Sequence, residues 1–184
     1  MGTIFVDNLE PQSGTSLTLG ASGDTLTIPS GCTISNSGTA TGFPGITEAD
    51  QWRLTANKTG TGIINTNLER IDTDGGGYIG TGMTQSSGNF SFPSTGIWLI
   101  SLNILSDNQV YTSMETTQDN SSYNAAALAY ADSSVQSGNA QFLFDVTDTS
   151  THKVNFNVFS ISGTLYGSTD NNSTSFTFIR LGDT

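Results

Sequence analysis

The chain has 184 residues, of which only 11% are charged, and its 16 acidic and 5 basic residues give a formal net charge of −11. Because the chain has so few basic residues, we expect neither nucleic acid nor anionic membranes as its partners. The single cysteine excludes an intrachain disulfide, and no stretch approaches the ~20 apolar residues of a membrane span. We therefore expect a soluble protein without a secretory leader.

The first apolar residues of the chain stand in the run IFVDNL, residues 4–9. This run is predicted to be a short strand or an extended arm. We expect the arm to anchor the protein on a neighbouring protein, because it has no evident apolar partner within the chain. The anchoring residues are predicted to be Ile4, Phe5, Val6 and Leu9.

Residues 14–34 alternate aliphatic residues with threonines between the glycine turns GASGD and PSG. The alternation predicts three short strands. So thin an apolar stripe cannot offset the entropy of ordering about 40 residues, so the segment should be unstable as an isolated monomer. We expect three chains to wind around a common axis; an arm docked on a neighbour and a flexible leader are the alternatives. The predicted axial residues are Leu17, Leu19, Leu26, Ile28 and Ile34.

The small-residue run SNSGTATGFPG, residues 35–45, is predicted to be a connector. It divides the chain into an anchoring and trimerisation segment, residues 1–45, and a head domain, residues 46–184. In the head, turn signals recur and helical periodicity is almost absent, which predicts an all-β sandwich or jelly roll. The predicted strands are Gln51–Thr55, Tyr78–Met83, Asn89–Phe92, Gly96–Leu105, Val110–Thr116, Ala125–Ala131, Asn139–Val146, Lys153–Ser160 and Thr174–Leu181. Ala125–Ala131 is predicted as a strand although its residues are good helix formers.

Several of these strands carry apolar side chains on both faces. In GIWLISLNIL, Trp98 and Ile100 lie on one face and Leu99 on the other, and the strands with Phe156 and Phe176 show similar patterns. A monomeric sandwich buries one face of each sheet, so the second apolar face favours a subunit interface; a loop covering the sheet is the alternative. Trp98, Ile100, Phe156 and Phe176 are predicted to lie in the core or in a trimer interface.

Two stretches resemble C1q and tumour-necrosis-factor-like domains. NFSFPSTGIWLIS, residues 89–101, resembles a strand–turn–strand of those domains, and TSFTFIRLGDT, residues 174–184, resembles their closing strand. The resemblance implies a ten-stranded C1q/TNF-like jelly roll and a compact homotrimer whose aromatic-bearing sheets meet around the three-fold axis. Pro93, Gly96, Phe176, Leu181 and Gly182 match the pattern, Trp98 stands where tyrosine is usual, and Phe178 replaces a glycine.

The N-terminal stretch VDNLEPQSGTSLTLGASGDTLTIPSGCTI, residues 6–34, resembles leaders of virion structural proteins of marine tailed bacteriophages. This resemblance implies a homotrimer on the virion surface, bound to the major capsid protein or to another virion protein. A capsid decoration or cement protein is the preferred interpretation, because the chain has no long shaft and no recognisable tail adapter. The alternative is a tail-fibre tip or receptor-binding protein that recognises a host glycan.

The sequence offers little catalytic chemistry. His152 is the only histidine and stands in a turn-like run, and Cys32, at an aliphatic position, is predicted to be a small buried residue. Asp72 and Asp74 in IDTDGGGY are spaced like the first ligands of a calcium loop, but no glutamate follows at the required distance. We expect a turn there, with a calcium site as the alternative, and no enzyme and no cofactor.

Three polar tips, STDNNSTS, LSDNQVYTSM and TTQDNSSYN, are rich in residues that can contact sugars. The same composition is ordinary for the loops of a jelly roll. A glycan ligand at these tips therefore stays an alternative to a purely structural role.

Overall fold

The computed structural model describes residues 9–35, 37 and 45–184 of the chain. The chain divides into two units, Met1–Phe43 and Pro44–Thr184. Within the described residues, no helix is long and apolar enough to cross a membrane. Three of the predicted anchoring residues, Ile4, Phe5 and Val6, lie outside the described residues.

In the first unit, residues 9–35 form turns joined by extended segments. Both predicted turns are present: the backbone N–H of Asp24 donates to the carbonyl of Ala21 (3.0 Å), and that of Cys32 donates to the carbonyl of Pro29 (3.1 Å). The predicted short strands are wrong for the single chain, since residues 9–35 contain no strand. A β-strand needs a second backbone to satisfy its N–H and C=O groups, and the turns here do not fold these segments onto one another.

The second unit contains eleven β-strands. They are β1 (Ala49–Leu54), β2 (Gly62–Ile63), β3 (Leu68–Arg70), β4 (Thr84–Ser86), β5 (Asn89–Ser91), β6 (Gly96–Ser106), β7 (Val110–Thr117), β8 (Asn124–Ala131), β9 (Gln136–Val146), β10 (Lys153–Ile161) and β11 (Ser175–Gly182).

Two antiparallel sheets form from these strands. One has five strands in the order β3-β1-β11-β6-β9, and the other has the order β4-β5-β10-β7-β8, with β2 added to β10. Most neighbouring strands in this order are not consecutive in the chain, because the chain repeatedly passes from one sheet to the other, for example through the short loops between β5 and β6 and between β6 and β7. The predicted all-β architecture is confirmed.

Eight of the nine predicted strands are present, including the alanine-rich β8. The strand predicted at Tyr78–Met83 is wrong, because Gly80 and Gly82 adopt positive φ angles of 76° and 73° that a regular strand does not allow. The Glu48 carboxylate accepts hydrogen bonds from the backbone N–H groups of this loop instead of a neighbouring strand. Strands β2, β3 and β4 were too short for their alternation to be recognised.

The core lies between the inner faces of the two sheets. Trp98, Ile100, Phe156 and Phe176 are all buried there, and Phe156 of one sheet stacks on Phe176 of the other at 4.1 Å between ring centroids. Of the two locations predicted for these residues, the core or a trimer interface, the single chain places them in the core. The expectation that the aromatic-bearing sheets meet around a three-fold axis stays a prediction. Phe178, which stands where the related domains have glycine, is buried in the same core.

Phe90 is the centre of this aromatic cluster. Its ring lies 5.1 Å from that of Phe178, 5.5 Å from Trp52, 5.8 Å from Phe156 and 5.9 Å from Phe176. These rings come from both sheets, so Phe90 joins the two layers.

Replacing Phe90 by alanine is expected to lower the free energy of unfolding by about 3–5 kcal/mol, because the substitution leaves a cavity among four aromatic rings. Urea denaturation measures the change. Phe159→Ala, which truncates a half-exposed ring outside the core, is the matched control and should cost about 1 kcal/mol or less. Equal losses in the two variants would contradict the assignment of Phe90 to the core.

Candidate functional site

Within residues 9–35, the first unit exposes its large aliphatic side chains. Cys32, predicted to be buried, is also exposed, so that prediction is wrong for the single chain. The turns in this unit are nevertheless hydrogen-bonded, and the Asp24 carboxylate accepts from the backbone N–H of Ala21 at 2.7 Å. The segment is thus shaped by its turns and not by an apolar core of its own. Between 43% and 68% of the surface is exposed in Leu9, Leu17, Leu19, Leu26, Ile28 and Ile34.

The outer face of the five-stranded sheet carries an apolar row that runs across the strands. Leu143 of β9 pairs with Leu99 of β6, which pairs with Ile179 of β11, which pairs with Ala49 of β1. Ile79 extends the row through an isolated bridge to Ala49. Residues that pair directly across strands project from the same face of a sheet, so the row is continuous. Leu143 is 57% exposed and Ile79 is 50% exposed.

A polar row lies next to this apolar row on the same face. Gln51, Thr177, Ser101 and Gln141 are paired across β1, β11, β6 and β9. The amide of Gln51 donates to Thr177 Oγ1 at 2.8 Å, which holds the two side chains flat against the sheet. An apolar band bordered by neutral hydrogen-bonding groups, with no charged side chain in either row, is the composition expected at the centre of a protein interface.

A hydrogen-bonded network around the ion pair of Asp50 and Arg70 lies at the edge of this sheet. Asp50, which is buried, accepts hydrogen bonds from the Trp52 indole at 2.9 Å and from the backbone N–H of Met83 at 2.7 Å, and its ion pair with Arg70 measures 3.0 Å. Arg70 also lies over the rings of Trp52 and Tyr78. The network holds the loop between β3 and β4 beside the sheet and leaves no free carboxylate for catalysis in this group. Sequence analysis missed it, because its members are scattered over 34 positions.

The two candidate calcium ligands, Asp72 and Asp74, have different surroundings. Asp72 is exposed and lies 3.6 Å from the guanidinium of the buried Arg53, while Asp74 occupies a turn position with φ 54°. Among the described residues, no group of three or more His, Cys, Asp or Glu side chains could hold a metal ion. The turn that was expected at residues 71–78 is the arrangement observed here, and the calcium alternative gains no support.

His152, in the turn-like run before β10, is buried. Its ring stacks on Phe144 with centroids 5.5 Å apart, and its two nitrogens lie within hydrogen-bond distance of Thr147 Oγ1 (3.3 Å) and Thr151 Oγ1 (3.2 Å). These contacts involve hydroxyls from its own turn and no nucleophile–base–acid series. The side chain therefore closes the turn before β10.

The loop between β7 and β8 is held by one carboxylate. Asp119 accepts hydrogen bonds from the backbone N–H groups of Ser122 and Ser121 and from the hydroxyl of Thr117. These bonds, the one from Ser122 above all, hold the pKa of Asp119 well below its usual range. The carboxylate is thus ionised at neutral pH and engaged in shaping its own loop.

Solved structures of other proteins share this architecture. No family model matches the sequence, and no curated protein matches it. The structure of murine APRIL aligns with a TM-score of 0.55 at 11% identity, covering 73% of this chain and 98% of that one. Eiger TNF from S. frugiperda aligns with a TM-score of 0.55 at 9% identity, covering 74% and 93%. The fold is a TNF-type jelly roll.

A PRD1 vertex protein is also similar, with a TM-score of 0.48, 13% identity and coverage of 76% of this chain and 100% of that one. A score this low supports no argument about function, and identities of 9–13% relate the fold alone. The resemblance seen in residues 89–101 and 174–184 is therefore confirmed for the fold of the head. The phage resemblance of the N-terminal stretch stays a prediction.

Proposed function

We propose that the protein is a homotrimeric surface protein of a tailed-bacteriophage virion and acts as a capsid decoration or cement protein. The TNF-type jelly roll forms the exposed head, residues 46–184. The N-terminal segment, residues 1–45, forms the trimeric base and the anchor, and the arm with Ile4, Phe5, Val6 and Leu9 contacts the major capsid protein or another virion protein. The protein is not an enzyme and uses no cofactor in this proposal.

One observation carries the proposal: residues 9–35 have defined turns while their large aliphatic side chains stay exposed. One chain leaves these regularly spaced aliphatic side chains in water. Burying them against copies of the segment or against a partner lowers the free energy by about 25 cal/mol per Å² of apolar surface. Three copies around an axis place Leu17, Leu19, Leu26, Ile28 and Ile34 against their equivalents.

The head supplies a second surface for the same trimer. Its apolar row, from Ile79 through Leu99 to Leu143, lies on the outer face of a sheet whose inner face already forms the core. An apolar row of this kind is suited to contact with the heads of neighbouring protomers around the three-fold axis. Because Trp98, Phe156 and Phe176 lie in the core, this proposal assigns the contact between heads to the exposed aliphatic residues.

The alternative function is a tail-fibre tip or receptor-binding protein that recognises a host glycan. The exposed polar loops of the head, such as that held by Asp119, favour it. Both functions place the protein on the virion surface, and they differ in how many copies each particle carries.

Counting the copies per particle tests the proposal. Purified virions, dissociated and quantified by mass spectrometry against the major capsid protein, should contain the protein in hundreds of copies if it decorates the capsid. A few tens of copies would assign it to the tail, and its absence from purified virions would overturn both assignments.

A further inference from the structure

The outer face of the six-stranded sheet carries an exposed aromatic cluster that neither the core nor the proposed trimer contacts use. It consists of Tyr111 on β7, Tyr130 on β8 and Phe159 on β10. The ring centroids are 4.7 Å apart for Tyr111 and Tyr130, 5.9 Å for Tyr111 and Phe159, and 6.2 Å for Tyr130 and Phe159. Tyr130 is 50% exposed and Phe159 is 45% exposed.

The backbone places these rings together by two devices. Tyr111 and Tyr130 are directly paired across β7 and β8. The pairing of β7 with β10 shifts between Val158 and Ser160, so Phe159 is the extra residue of a β-bulge opposite Tyr111. A β-bulge changes the direction in which side chains project from the strand. Here Phe159 lies outside the core while Val158 remains buried.

A polar rim borders the cluster. The Tyr111 hydroxyl donates to Asp132 Oδ1 at 2.7 Å, and Asp132 is itself held by Gln136, whose side-chain oxygen accepts from the Asp132 backbone N–H at 2.9 Å. The phenol therefore has a fixed direction and the carboxylate a fixed position. Apolar ring surface beside oriented hydroxyl and carboxylate groups matches a sugar ring, which has apolar C–H faces and hydroxyls at its edge.

The charged side chains near the cluster favour neutral sugars over acidic ones. The nearest base along β10 is Lys153, six residues from Phe159 and thus about 20 Å away along the strand. The cluster and its rim carry a carboxylate and no basic side chain, which disfavours sialic acids, uronic acids and phosphorylated sugars. A neutral pyranose meets no such repulsion.

The size of the cluster favours a sugar over a protein partner. Aromatic side chains bury about 150–250 Å² each when fully covered, so two half-exposed rings offer roughly 200 Å². A stable protein interface needs about 800 Å² from each partner. The exposed ring surface instead suits one or two sugar residues.

We propose that Tyr111, Tyr130 and Phe159, with Asp132 at their rim, form a binding site for neutral pyranose residues of a polysaccharide. The site lies on a sheet face, away from the loops that sequence analysis considered for glycan contact. It adds a ligand to the proposed virion protein but does not depend on that assignment, since both a capsid and a tail protein can carry it.

Saturation-transfer difference NMR on the full chain tests the site with methyl glycosides of glucose, galactose, mannose and N-acetylglucosamine. We expect at least one of them to bind with millimolar affinity, and Tyr130→Ala to weaken that binding about tenfold. Tyr78→Ala, which removes an equally exposed tyrosine (51%) from the loop between β3 and β4, should leave binding unchanged. Asp132→Asn, which keeps the shape of the rim, should weaken binding less than Tyr130→Ala.

Three outcomes of the binding experiment would overturn the proposal. The first is the absence of saturation transfer to every neutral glycoside. The second is saturation transfer that persists in Tyr130→Ala and Phe159→Ala while circular dichroism shows that both variants are folded. The third is binding of N-acetylneuraminic acid as strong as that of the neutral glycosides. Burial of Tyr130 by a second copy in the assembled protein, detected by protection from surface labelling, would equally overturn it. Since none of these measurements uses virions, a failed copy count would leave the result standing.

Discussion

Replacing Leu143 by aspartate is expected to convert the proposed trimer into folded monomers. Leu143 ends the apolar row on the outer face of the five-stranded sheet and is mostly exposed in the single chain, so the substitution should not disturb the jelly roll. In the trimer it would bury three unpaired carboxylates, each of which costs several kcal/mol. Sedimentation velocity should show the concentration for half-dissociation rising about 100-fold or more.

Leu128→Asp is the matched control, because Leu128 is also an exposed leucine in a β-strand but belongs to β8 of the other sheet. That variant should stay trimeric. If Leu143→Asp sediments as the wild-type trimer, the contact between heads lies elsewhere. A stable wild-type monomer at micromolar concentration would refute the trimer altogether.

The long strands of the head were predictable because their apolar periods are clear. Strands β6, β7, β9, β10 and β11 each have eight residues or more, and the alternation identified all of them. The alanine-rich β8 is a strand although its residues favour a helix, because pairing with β7 along nearly its whole length outweighs intrinsic propensity. Residues 78–83 were misread, because the alternation of apolar residues there comes from a loop with two glycines at positive φ.

Which face of a strand forms the core was not predictable where both faces are apolar. In β6, Trp98 and Leu99 are equally apolar neighbours, and only the second sheet decides that Trp98 is buried and Leu99 is not. For the same reason, the sequence predicts for Trp98, Phe156 and Phe176 either the core or a trimer interface without deciding between them. The aromatic cluster on the other sheet was also missed, because a β-bulge and the pairing of distant strands bring Tyr111, Tyr130 and Phe159 together.

In the N-terminal segment, the turns were predictable from the sequence and the strand pairing was not. Its turns were predictable from glycine, proline and aspartate, whose conformational preferences act locally. Its strands were not, because pairing requires a second backbone and residues 9–35 of one chain supply none. The exposed aliphatic side chains of residues 9–35 support the role proposed for this segment in assembly.

Deleting residues 1–12 is expected to leave a folded trimeric head that no longer attaches to the particle. The head contains its own aromatic core, and the segment from Leu17 to Ile34 keeps its proposed axial contacts. The deletion removes the arm with Ile4, Phe5, Val6 and Leu9. Because three arms act together through their effective concentration, even weak contacts from each arm multiply, and binding should fall by about 100-fold or more.

Co-sedimentation with particles that lack the protein measures this binding. Replacing only Asp7 and Glu10 by alanine is the companion variant, since it keeps the apolar arm and removes its charges. If apolar contacts or strand addition dominate, this variant and high salt should both change binding little, whereas pairing of the acidic residues with capsid bases would make both effects large. Full-strength binding by the truncated protein would show that the arm is not the anchor, and attachment would then have to come from the head.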